Sequence, residues 1–230
     1  MNPSLYRNEL LTKGAILGCV MLAFNIADAL MLCYGGVALI VPMSLMMLLS
    51  VAAYIFLLYR FTKSYSNLVI AGREKMPFFS YGEGLLYAMN LSGLAGIVVA
   101  VGAYVFTHYV IGYDNFIDAN VKLFREFYSW FQVAMAKSDI LREVVEFYTN
   151  MYQSMLTSAE SGGADVVESL ISEIEKAEEP SIITNLFAYM SEYVMWGAIV
   201  GFVVAAKTKR NPWTGYNNFN NNENKPNNEQ

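Results

Sequence analysis

Four stretches of this chain stay apolar for about the thickness of a bilayer: residues 14–34, 37–58, 88–111 and 186–206. A helix rises about 1.5 Å per residue, so about 20 such residues cross a hydrocarbon core of roughly 30 Å. The third stretch carries the clearest start signal. Ser80-Tyr81-Gly82-Glu83 has the serine and glutamate spacing of a capping box, in which each side chain satisfies a backbone donor of the other. From Leu85 to Ile111 no side chain then carries a fixed charge. The pattern predicts an all-α polytopic membrane protein with four transmembrane helices.

Between the third and fourth stretches the period changes. Apolar residues three and four apart predict amphipathic helices in an insertion over 114–179. The first uses Phe116, Leu123, Phe127, Phe131 and Met135, the second Leu141, Val144, Tyr148, Met151 and Met155, and the third Val167, Leu170 and Ile174. Ser161-Gly162-Gly163 separates the last two. Pro180-Ser181 reopens the apolar pattern for the fourth span. After Asn211-Pro212 the chain becomes asparagine-rich and nearly free of aliphatic residues, which reads as a disordered tail. The expected division is a membrane domain over 1–208 and a tail over 209–230.

Charge orients these elements. Arg7 and Lys13 precede the first span, Arg60, Lys63, Arg73 and Lys75 follow the second, and Lys207, Lys209 and Arg210 close the fourth. The positive-inside rule puts these flanks, and with them both termini, in the cytoplasm. Segment 59–79 then reads as a cytoplasmic loop. The insertion holds 13 acidic residues against 5 basic ones, and that deficit of cations places it outside. Tyr104, Tyr109 and Tyr113 form the aromatic belt of the outer interface, where Gly112 is expected to end the third helix. Tyr34-Gly35-Gly36 offers a tight reversal between the first two spans, and Pro42 is tolerated early in the second.

Composition alone, 55% hydrophobic and 15% charged, also fits a greasy soluble domain, and it is the length of the runs that decides for a membrane. A cleaved signal peptide is not expected, because the apolar run passes Ala27-Asp28-Ala29 and leads into a second span within a few residues. Cys19 and Cys33 stand about 21 Å apart on one helix, beyond disulfide reach.

These features together resemble a family of small inner-membrane proteins of Bacteroidota known as domain-of-unknown-function family 4199. The resemblance covers roughly residues 9–212. It rests on the glycine-bearing first span, the Tyr59-Arg60 exit of the second, Phe79-Ser80-Tyr81-Gly82-Glu83 before the third, the long outer segment, and Lys207-Thr208-Lys209-Arg210-Asn211-Pro212. It implies four spans and an inner-membrane address. It supplies no catalytic residues, and the asparagine-rich tail departs from its core.

Asp28 is the first candidate for chemistry, since an ionisable side chain inside a span is costly and tends to face a polar interior or a partner. Asn25 shares its face. Glu192 lies as many residues from Lys207 as Asp28 does from Lys13, so both carboxylates sit about 22 Å from the inner boundary. With Tyr104 and His108, the single histidine, they form a candidate polar site. The simpler reading makes the two acids wetted outer-interface residues.

Small residues mark helix faces that permit close approach. They are Gly14 and Gly18 on the first span, Ser92, Gly96, Ala100, Ala103 and Thr107 on the third, and Gly197, Gly201 and Ala205 on the fourth. The aromatic cluster Phe116, Phe124, Phe127, Tyr128, Trp130 and Phe131 must cover something. Its acidic surroundings argue against anionic lipid heads and for the chain's own helices or another protein.

No catalytic constellation, no metal-ligand spacing and no cofactor motif is present in the sequence, and no nucleic-acid partner is expected. The expected function is a non-catalytic accessory or scaffold protein of the bacterial inner membrane, serving envelope biogenesis. Its partners would be the lipid bilayer and a membrane protein or a second copy. The alternative is a small transport or permeation protein built on Asp28, Glu192 and His108.

Overall fold

A computed structural model describes residues 3–35, 39–73, 78–136, 172, 174, 176 and 179–210. Its long elements are helices: α1 (Pro3–Gly35), α2 (Ile40–Ala71), α3 (Tyr81–Val105), a π-helical turn (Phe106–Ile111), α4 (Tyr113–Ala136) and α5 (Ile182–Thr208). Among the described residues there is no strand, only an isolated antiparallel bridge between Phe79 and Arg210. Among the described residues four helical stretches are long and apolar enough to cross a membrane: Tyr6–Gly35, Ile40–Ala71, Tyr81–Ile111 and Ile182–Thr208. The second amphipathic helix expected between 114 and 179, the third apart from residues 172, 174 and 176, the reversal at residues 36–38 and the tail after 210 lie outside the described residues.

The chain forms two compact units. One takes its described residues from Met1–Ile26, Leu45–Val105 and Pro180–Gln230, the other from Ala27–Ser44 and Phe106–Glu179.

In the first unit α3 packs against α1 on one face and α5 on the other. Glycine sets the distance on both. A Cβ placed on Gly18 would stand 2.6 Å from the Val98 Cβ and 3.0 Å from the Ala95 carbonyl oxygen, and one on Gly14 would stand 2.8 Å from the Leu94 Cβ. Toward α5, the same test on Gly96 meets the Tyr193 Cβ at 2.9 Å and the Met190 Cα at 3.1 Å. Leu91, Ala95 and Ala88 are wholly buried in this stack. In a bilayer, where lipid tails are as apolar as leucine, such close contact and its dispersion energy hold helices together.

Residues 59–71, expected as a loop, are the last turns of α2. The apolar run stops near Leu58, but Leu58, Thr62, Tyr65, Ser66 and Val69 continue inward at helical spacing and all are buried. Exposed Arg60, Lys63 and Asn67 occupy the other face. The helix therefore outlasts its lipid-compatible part and becomes amphipathic. Tyr65 stacks on Tyr87 of α3 with ring centroids 4.0 Å apart, and Tyr6 of α1 meets both rings edge-on.

This end of the unit is closed by polar contacts. Phe79 and Arg210 exchange backbone hydrogen bonds of 3.1 and 2.9 Å. Ser66 Oγ donates to the Thr208 carbonyl at 3.3 Å, and Arg210 donates to Asn67 Oδ1 at 2.9 Å. Ser80 and Glu83 form the capping box: the Ser80 N–H donates to Glu83 Oε2 at 2.9 Å and the Glu83 N–H to Ser80 Oγ at 3.2 Å. Arg73 ion-pairs with Glu83 and donates to the Phe78 carbonyl at 2.8 Å.

In the second unit the π-helical turn ends at Gly112, whose φ of +87° suits a residue without a side chain. α4 starts directly after it.

Candidate functional site

The residues singled out for chemistry fall in both units. Asn25, Tyr104 and Glu192 belong to the first, Asp28 and His108 to the second.

In the first unit Asn25 hydrogen-bonds through its side chain to Tyr189 of α5. Tyr189 stands one helical turn before Glu192, yet the two point differently. Tyr189 is half-buried, whereas Glu192 is exposed. Gly197 and Gly201, which face α3, are buried, and Glu192 lies about 140° around the helix from Gly197 at 100° per residue. The seam with α3 thus turns Glu192 outward. Tyr104, near the end of α3, is half-buried.

A buried polar pair sits deeper in the same unit. The Tyr54 hydroxyl of α2 and Ser92 Oγ of α3 are 2.7 Å apart, and Ser92 is wholly buried. A phenol inside an apolar run needs such a partner, which is the signal by which Tyr54 can be found in the sequence. Nearer the helix ends, Asn90 donates to the Tyr6 hydroxyl at 3.2 Å, and Asn185 donates to the Ala100 carbonyl at 3.0 Å. Lys13 pairs with Glu9 and donates to Ser64 Oγ at 2.9 Å.

In the second unit Asp28 is half-buried, and its Oδ1 is enclosed with no hydrogen-bond partner among the described residues. His108 is the centre of a separate group. Its Nε2 lies 2.9 Å from a carboxylate oxygen of Glu179, and its Nδ1 is 3.1 Å from Thr107 Oγ1. Its ring stacks on Tyr113 at 5.3 Å. Burial, and after it the charges of Glu179 and Asp114, push the Tyr113 hydroxyl above its ordinary value, because each disfavours a phenolate. Glu179 escapes a reading of the sequence because it is one of many acids before Pro180, and only the fold brings it to the histidine.

Among the described residues no group of three histidine, cysteine, aspartate or glutamate side chains could hold a metal ion. Comparison with known proteins finds no matching family model, no matching curated protein and no matching solved structure.

Proposed function

We propose that this chain is a non-catalytic accessory or scaffold protein, with both termini in the cytoplasm by the positive-inside rule and with the bacterial inner-membrane address that its resemblance to family 4199 implies. One observation carries the preference for docking over conduction. The seams along α3 are filled at backbone distance, with Gly197 against Ser92 and Gly18 against Val98, while Glu192 stands on the outside of α5. A conducting protein keeps its intramembrane charges on a wetted inner surface. An accessory protein uses them at a contact.

The test is chemical crosslinking in native membranes followed by purification of the chain in mild detergent. The expected result is a discrete complex with another membrane protein at fixed stoichiometry. Recovery of the chain alone in every detergent would count against the reading. The enclosed, unpartnered oxygen of Asp28 favours a second reading, a small proton- or ion-linked transporter in which Asp28 binds the ion.

A further inference from the structure

Glu192 is ten residues beyond Ile182 and sixteen before Thr208 in α5, about 15 Å and 24 Å from the two ends. That depth is hydrocarbon for an inserted helix. The side chain is exposed and has neither a hydrogen bond nor an ion pair among the described residues. Its neighbours on that face, three and four residues away, are Ala188, Met195 and Trp196, all exposed. An ionised carboxylate facing lipid is costly by several kcal/mol, so the face is incomplete as it stands.

The cations of the first unit do not complete it. Lys207 is fifteen residues further along α5, about 22 Å away. Lys13 and Arg210 are tied through Ser64 and Asn67 to the last turns of α2, which Ser66 fastens to Thr208 at the far end of α5. A second copy lying parallel puts its own cations at that same end and brings Glu192 against Glu192, which is repulsive.

We infer that the outward face of α5 around Glu192 docks a transmembrane helix of another protein, one that presents a lysine or arginine side chain at the depth of Glu192. The inference rests on the accessory reading and gives it a face and a partner chemistry. Ala188 leaves room for that helix one turn from Glu192, Met195 and Trp196 flank it, and the carboxylate and cation satisfy each other in the outer part of the hydrocarbon, where water is scarce.

The test uses the full chain in liposomes of phosphatidylethanolamine and phosphatidylglycerol, labelled for energy transfer. The probes are two synthetic leucine-alanine transmembrane peptides, one with a single lysine ten residues from its end and one without. The lysine peptide is expected to associate about tenfold more strongly than its control. Glu192→Leu should abolish that preference and Glu192→Gln should leave part of it. Because Glu192 is exposed and makes no hydrogen bond or ion pair among the described residues, both variants should melt as the parent does, which separates a lost contact from a lost fold. Equal association of the two peptides, or a preference that survives in Glu192→Leu, would overturn the inference. So would energy transfer between two labelled copies that depends on Glu192. A native partner that co-purifies equally well with Glu192→Leu would remove this face and leave the accessory reading standing.

Discussion

Gly197 approaches Ser92 so closely that a Cβ on the glycine would stand 2.6 Å from both the Cβ and the Oγ of the serine. The same Cβ would meet the backbone of Met89 at 3.2 Å, so neither helix can yield by turning a side chain. Gly197→Ala is therefore expected to cost about 1–3 kcal/mol, the usual range for overpacking. Gly201→Ala meets the Ala88 Cβ and the flexible end of Leu85, both at 3.1 Å, and the Leu85 carbonyl oxygen at an ordinary 3.9 Å, and should cost less. Thermal unfolding in detergent reads the order; equal melting temperatures would place the seam elsewhere.

Ser92 also carries the hydrogen bond to Tyr54, 2.7 Å long and buried. Ser92→Ala leaves the phenol without a partner, and Tyr54→Phe does the same to the serine. Each single change should destabilise by about 1–3 kcal/mol, the cost of an unsatisfied buried group. The double variant should cost clearly less than the sum, since removing both partners leaves no orphan. Additive losses in the double-mutant cycle would show that the two hydroxyls do not act on each other.

The helices and the start of α3 are legible in the sequence because their causes are local. Ser80 and Glu83 are three residues apart, and the capping bonds between them need nothing from the rest of the chain. What extends α2 to Ala71 is not local. Thr62, Tyr65 and Ser66 are not apolar enough to prolong a hydropathy signal, and they are buried by partners as remote as Thr208, 142 residues away. The four-residue spacing of Gly197 and Gly201 marks a close-packing face, but nothing in that spacing names α3 as the neighbour. The same limit applies to the candidate polar residues. Equal depth can be counted along a helix, whereas the direction of Glu192 follows from which side of α5 meets α3. The link between His108 and Glu179 spans 71 positions of the chain and belongs to the fold alone.

Orientation can be tested on exposed positions of the helices. In a background with Cys19→Ser and Cys33→Ser, a cysteine at exposed Lys63 is expected to react with an impermeant maleimide only after the cells are opened. A cysteine at exposed Asp118 of α4 should react in intact cells. Labelling of position 63 alone in intact cells would invert the topology drawn from the positive-inside rule.

The central claim is that this chain docks rather than conducts, and ion flux in proteoliposomes of the purified chain tests it most directly. With a pH-sensitive dye inside and an imposed proton gradient, the expected leak equals that of protein-free vesicles and is the same for Asp28→Asn as for the parent. Flux above that background in the parent, abolished by Asp28→Asn in a protein whose melting temperature is unchanged, would contradict the claim.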